Sequence, residues 1–309
     1  MKNRHGLVSI VMPAYNAAST IAESISSVLG QTYDRWELIV VNDGSTDETS
    51  SAVAPFLSDK RICLIKQENA GVAAARNRGI KQSSGEFVSF LDADDLWVKN
   101  KTARQLEMFR NSDDPALGLV YSRYASFCTS LSYAQSRNDD AYFAYLAPKL
   151  RIMVYDFIAT STVMTTSAVI SNVGLFDETL SGTEDWDLWI RILSGYSVGL
   201  VDETLMMYRE NPQGLSKNFQ KHHAEEWKVL DKHVIGNSSL ISDICAKSLF
   251  YHQMKLLSHY YAERQYLYFF RELLSSFKKN PGHYLSPSNV RDTLSILMNR
   301  HRLNFDQQT

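Results

Sequence analysis

Asp92, Asp94 and Asp95 stand within four positions of one another, directly after the apolar run Phe87-Val88-Ser89-Phe90-Leu91. Like charges packed this closely at the end of a buried strand repel one another and are costly to desolvate, so they call for a cation or for solvent. A hard divalent ion such as Mg²⁺ or Mn²⁺ takes one or two carboxylates and completes its shell with phosphate oxygens and water. The cluster therefore reads as a metal-assisted diphosphate site. Asp95 has a second reading, as a helix cap before Leu96-Trp97. Another acidic group, Thr183-Glu184-Asp185-Trp186-Asp187, opens a helical pattern whose Trp186, Trp189, Ile190 and Leu193 form an apolar stripe. Acidic residues are favoured in a first helical turn and the tryptophans read as core. A carboxylate fixed there can also act as a general base toward a hydroxyl.

The elements that must position these groups alternate between short β-branched runs and helical patterns, which indicates parallel strands joined by crossover helices. Strands are expected at 8–12, 37–42, 62–66 and 86–91. Ile21, Ile25, Val28 and Leu29 give a helix with one apolar face. Further helices are expected at 48–57, capped by Ser45 or Thr46, and at 72–82. Ligands of such sheets collect beyond the carboxyl ends of the strands. Pro13-Ala14-Tyr15-Asn16, Asp43-Gly44-Ser45, Gln67-Glu68-Asn69 and Asp92-Ala93-Asp94-Asp95 all fall there. Tyr15 is a turn residue or a platform for a base. Asp43 is a turn cap or an acceptor for base or ribose, and Arg76 and Arg78 are solvated or phosphate-binding.

Downstream, a helix at 101–110 and a strand at 117–124 are expected, while 125–156 has no clean period. A short strand at 163–165, a helix from near Thr183 and strands at 198–201 and 205–208 follow. Tyr208-Arg209 and the loop 211–218 read equally as a flap or an ordinary connection. From about Lys221 the pattern is helical to near Arg302, interrupted around Pro281-Gly282 and Pro287. His222-His223 reads as surface, because adjacent side chains diverge on a helix. Phe250, Tyr251, Tyr260, Tyr261, Tyr266, Tyr268, Phe269 and Phe270 must bury against one another, a second subunit or a membrane face. Arg264, Arg271, Lys278 and Lys279 would meet anionic lipid in the last case.

The 309 residues suffice for a large core, and a net charge of −2 gives no reason to expect a nucleic-acid partner. Cys63, Cys128 and Cys245 are odd in number and widely spaced, which suggests neither a disulfide framework nor a zinc site and fits a cytoplasmic compartment. No export signal is visible, and no segment approaches about 20 apolar residues.

Taken together in order, these motifs resemble the inverting nucleotide-sugar transferases of glycosyltransferase family two. The resemblance runs from Val8–Asn16 through Ser26–Thr32, Glu37–Asp47, Asn69-Ala70-Gly71, Ala75-Arg76-Asn77, Gly85-Glu86 and Phe90–Asp95 to Gly174–Glu178 and Glu184–Trp189, covering roughly residues 6 to 215. It implies an α/β class of GT-A fold, Rossmann-like, with a mostly parallel central sheet flanked by helices and a C-terminal helical extension. Residues 1–219 would be the transferase domain, with a nucleotide half to about 98 and an acceptor half from 99, and 220–309 the helical region. Pro13, Tyr15, Asp43, Asn69 and Arg76 would hold the nucleotide, most often a uridine diphosphate. Asp92 would lie near the ribose and Asp94 would coordinate Mn²⁺ or Mg²⁺. Asp185 would be the base, with Glu184 as the alternative.

The implied partners are a nucleotide-diphosphate sugar and a glycan or lipid-linked glycan acceptor of bacterial surface polysaccharide, with no nucleic acid. Peripheral association with the inner membrane face and homo-oligomerisation through the C-terminal helices are further expectations. Two rivals stand beside this reading. A sugar nucleotidyltransferase would carry a glycine-rich basic loop after its first strand, where Pro13-Ala14-Tyr15-Asn16 stands instead. A non-catalytic sugar-nucleotide-binding module has no need of Asp92, Asp94 and Asp185 together.

Overall fold

The computed structural model describes residues 5–128, 135–137, 143–210, 219–235, 242–268 and 271. Within these, the chain forms two compact units, one of residues 1–152 with 156–218, the other of 153–155 with 219–309.

The first unit is built on a sheet. Strands β1 (Val8–Ala14), β2 (Trp36–Asp43), β3 (Ile62–Gln67) and β4 (Phe87–Phe90) are mutually parallel in the order β3-β2-β1-β4. Helices α1 (Ile21–Leu29), α2 (Thr49–Val53) and α3 (Val72–Gln82) make the crossovers. β1 and β2 are buried along almost their whole length, as strands covered on both faces must be. Leu38 and Val40 face a core with Ile21, Ile25, Val28 and Leu106, while Ile39 and Val41 face Ala75 of α3. α3 lies so close that a Cβ on Gly79 would fall 2.4 Å from Val11 Cγ1.

The sheet continues through β5 (Leu96–Trp97), β6 (Leu117–Phe127), β7 (Gln135–Arg137), β8 (Met164–Thr166) and β9 (Ser197–Arg209), completing the order β3-β2-β1-β4-β8-β6-β9-β5 with β7 on β6. β8 runs antiparallel to β4, and β9 parallel to β6. Around them lie α4 (Lys101–Asn111), α5 (Pro148–Arg151), α6 (Ser167–Val173) and α7 (Glu184–Gly195). The second unit contains α8 (Phe219–His233) and α9 (Ser242–Ala262).

Several expectations need correction. The helix expected at 48–57 divides at Pro55, whose ring cannot continue the hydrogen-bond ladder, into α2 and a 3-10 segment over Ala54–Ser58. Ser45 and Thr46 do not cap it. Asn16 N donates to Ser45 Oγ and Thr46 N to Asn16 Oδ1, so the two residues tie the first strand's loop to the second's. Asp95 caps no helix, because Leu96-Trp97 is a strand paired with β9. The strands expected at 198–201 and 205–208 are one strand, whose register against β6 shifts near Ser122 and Arg123. His223 is 7% exposed rather than a surface residue. The flap at 211–218, Phe269, Phe270, Lys278, Lys279 and the helical run expected toward Arg302 lie outside the described residues. No helix among the described residues is long and apolar enough to cross a membrane.

Candidate active site

The four parallel strands deliver their loops to one edge, and hydrogen bonds then tie loop to loop. Asp43, 3% exposed at the end of β2, accepts from Gln67 Nε2 at 2.7 Å and from the amides of Ala70 and Gly71 at 2.9 Å. Its carboxylate organises the third loop, and Asn69 Nδ2 returns a bond to the Asp43 carbonyl at 3.0 Å. Gly44 allows the close approach. Its φ is +72°, and a Cβ there would meet Asn69 N at 2.6 Å. Pro13 is buried within β1 opposite Val41, whereas Tyr15 stands 53% exposed just beyond the strand.

Arg76 of α3 joins the loop after β4 to α7. Nη2 donates to Asp92 Oδ1 at 2.8 Å and Nη1 to Glu184 Oε1 at 2.5 Å, with the guanidinium 3% exposed. Burial alone would lower the affinity of Arg76 for its proton, but the charges of Asp92, Glu184 and Asp185 outweigh it and raise that affinity. Glu184 is 2% exposed, and its other oxygen accepts from Gly182 N at 2.6 Å. Its near-complete burial against Arg76 suits an orienting role better than an acceptor-facing base. The next residue, Asn77, anchors the Gly174–Glu178 turn by donating to Phe176 O and Glu178 Oε1 and accepting from Phe176 N.

Asp185 is partly exposed in the first turn of α7 and accepts from Thr160 Oγ1 at 2.5 Å. Its helix is pinned from behind, where Trp186 Nε1 donates to Ile152 O and Trp189 Nε1 to Ile158 O. Thr160 opens a 3-10 turn, Thr160–Thr162, whose next residue faces the other way. Ser161 Oγ donates to Asp95 Oδ2 at 2.6 Å and accepts from Asp92 N at 3.1 Å.

Asp95 is 2% exposed and also accepts from Arg209 N at 3.0 Å. Burial, then the charges of Asp94 and Asp92, push its carboxyl well above the ordinary range. It holds β9's end against the loop, and Arg209 reinforces this by donating to the Asp94 carbonyl at 2.9 Å and to Glu23 Oε2 at 2.6 Å. Asp94 is partly exposed, and burial followed by the charge of Asp92 pushes its carboxyl up to about 6. A strained pair of carboxylates with only oxygen donors suits a hard divalent cation. Asp94, with Asp92 beside it, fits such an ion.

Thr160 and Ser161 carry no signal in the sequence, and Arg209 stands there only as part of a flap or an ordinary connection. Thr160 and Ser161 lie between the stretch with no period and the strand expected at 163–165, and their partners are 25 and 66 positions away.

Comparison with known proteins follows the same lines. The model for "Glycosyl transferase family 2" matches residues 9–173. The Escherichia coli protein WfgD, a UDP-Glc:alpha-D-GlcNAc-diphosphoundecaprenol beta-1,3-glucosyltransferase, is 34% identical over 229 residues, covering 72% of this chain and 85% of WfgD. Among solved structures, S. aureus TarS 1–349 in complex with UDP-GlcNAc superimposes with a TM-score of 0.63 at 20% identity, over 79% of this chain and 72% of that one. The mannosyltransferase PcManGT from Pyrobaculum calidifontis, in complex with GDP-Man and Mn²⁺, gives a TM-score of 0.63 at 18% identity, over 94% of this chain and 86% of that one. With the motifs in their order, this sheet topology and these matches, the chain belongs to glycosyl transferase family 2 and is a glycosyltransferase of GT-A fold.

Proposed function

We propose that this transferase moves a sugar, with inversion, from a nucleoside diphosphate, by preference uridine diphosphate, to a hydroxyl of a lipid-linked glycan in bacterial surface polysaccharide synthesis. The observation that carries the reading is the Arg76 bridge, which fixes the donor loop at Asp92 and the start of α7 at Glu184 with one buried side chain. Donor site and base are thereby held in one rigid frame. Tyr15, Asp43 with its loop, and Asn69 would take the nucleoside. Asp92 would lie near the ribose and Asp94 would hold Mn²⁺ or Mg²⁺, which supplies charge neutralisation at the departing diphosphate. Asp185 accepts the acceptor hydroxyl's proton as that oxygen attacks the anomeric carbon from the face opposite the breaking bond to diphosphate. Thr160 Oγ1 donates to Asp185 Oδ2 and the Trp186 amide to Oδ1, which fixes the carboxylate while it stays partly exposed.

WfgD's name supports this choice of partners. A β linkage formed from UDP-glucose, an α-linked donor, requires inversion, and its acceptor carries diphosphoundecaprenol. Such an acceptor would bring the reaction to the inner membrane surface.

Asp185→Asn tests the base. Turnover with a diphosphoundecaprenol-linked acceptor should fall on the order of 10² to 10⁴-fold, while calorimetric binding of UDP-sugar with Mn²⁺ stays near wild type. Retention of most transfer activity would remove Asp185 from that role.

A further inference from the structure

The helical unit carries another group of metal-ligating side chains, remote in sequence from the donor loop. His223 and Glu226 lie three residues apart on one buried face of α8, and His252 comes from α9. The three are 7%, 5% and 1% exposed. Glu226 Oε2 stands 3.2 Å from His223 Nδ1 and 3.3 Å from His252 Nδ1, and one ligating atom from each residue lies within 4.8 Å of the others. In a tetrahedral site with bonds of about 2.0 Å, neighbouring ligand atoms sit about 3.3 Å apart. Two of the three edges already have that length.

The hydrogen positions point the same way. His252 Nε2 is 3.0 Å from the Val154 carbonyl, which can only accept. A neutral ring that donates there turns a lone pair on Nδ1 toward the Glu226 carboxylate. The other neutral tautomer moves the conflict to Val154. Two acceptors facing each other out of water are unfavourable, and a positive charge between Nδ1 and Oε2, either the second proton of an imidazolium or a metal ion, removes the conflict. In the second case the Val154 contact becomes the outer hydrogen bond that orients a metal-bound imidazole. Lys255 and His222 meet the other oxygen of Glu226, leaving Oε2 to the ion.

We propose that His223, Glu226 and His252 form a structural site for a borderline divalent cation of the Zn²⁺ class, fastening α8 to α9. Two imidazoles and one carboxylate, the latter shared with an ammonium, suit such an ion better than Mg²⁺. Trp227 Nε1 donates to His223 Nε2 at 3.0 Å, which leaves the ring hydrogen on Nδ1. Metal at Nδ1 requires the opposite tautomer, so the indole, 37% exposed, must turn away.

The test uses the full chain, stripped with chelator and titrated with Zn²⁺ without nucleotide or Mn²⁺, in an Asp94→Asn background that removes the donor-site carboxylate. One ion per chain by calorimetry and elemental analysis, with a rise in Tm and a change in tryptophan emission, is expected. Affinity should fall at least about tenfold in His252→Ala and Glu226→Gln, and should increase in Trp227→Phe, which removes the competing hydrogen bond without touching a ligand. The Trp227→Phe arm is decisive even where a ligand variant fails to fold. Absence of stoichiometric Zn²⁺, or binding indifferent to His252→Ala or to Trp227→Phe, overturns the site and leaves an ion-pair network.

Discussion

Asp94 shows what a crowded, half-buried carboxylate costs a folded chain. Its carboxyl is pushed from 3.8 up to about 6 by burial and by Asp92. The folded, metal-free chain therefore keeps a proton that the unfolded chain has released between those values. Stability from this group is present at low pH and declines as pH rises through the window, remaining reduced at neutrality. Asp94→Asn should thus raise the Tm of the metal-free protein at pH 7.5. The gain should be on the order of 1 to 2 kcal/mol, allowing for Asp94's contact with solvent, or roughly 1.5 to 3 °C. It should shrink below pH 5 and be accompanied by loss of Mn²⁺-dependent stabilisation by UDP-sugar. Thermal melts across pH check this, and a variant less stable than wild type at pH 7.5 would sink it. Arg76 has the opposite character, since its buried charge is compensated from both sides by Asp92 and Glu184. Removing a partner of such a pair strands a charge away from water.

Among the elements, the Thr160–Thr162 turn connects the start of α7 to the loop after β4. Thr160 reaches Asp185, and Ser161 reaches Asp92 and Asp95. If the turn positions the base, Thr160→Val should lower kcat on the order of tenfold, through the lost hydrogen bond to a charged group. The KM for donor should stay unchanged, and Thr160→Ser should restore the rate. Equal kcat in the valine variant would reduce the turn to a structural link. The turn was not legible beforehand, because a Thr-Ser-Thr run has no periodicity and acquires meaning only from residues distant in sequence. β1 to β4 and α3 were legible because each is a local pattern bounded by turn residues, and the carboxylates stood out by crowding and by their place at strand or helix ends. β5 was missed because two residues carry no period, and β9 looked like two strands because its irregular register interrupts the alternation. His223 was misjudged from its neighbour in sequence, when its partners lie at i+3 on α8 and on α9.

For the whole molecule, a net charge of −2 offers no overall attraction to a doubly charged diphosphate, so any capture of such a group must rest on local charges. The chain also divides into two compact units, and each proposed ion falls within one of them: the donor-loop carboxylates in the first, His223, Glu226 and His252 in the second. A ligand stabilises the structure that binds it by about 2.7 kcal/mol at a hundredfold excess over Kd, and local opening responds to local stability. Hydrogen exchange read by mass spectrometry should therefore separate the two ions. Mn²⁺ with UDP should slow exchange at 43–46, 67–71 and 92–95, while Zn²⁺ alone should slow it in α8 and α9. Asp94→Asn should erase the first effect and keep the second, and His252→Ala the reverse. Protection by both ions over the same peptides would mean one site with two occupants, and the division of binding between the units would fall with it.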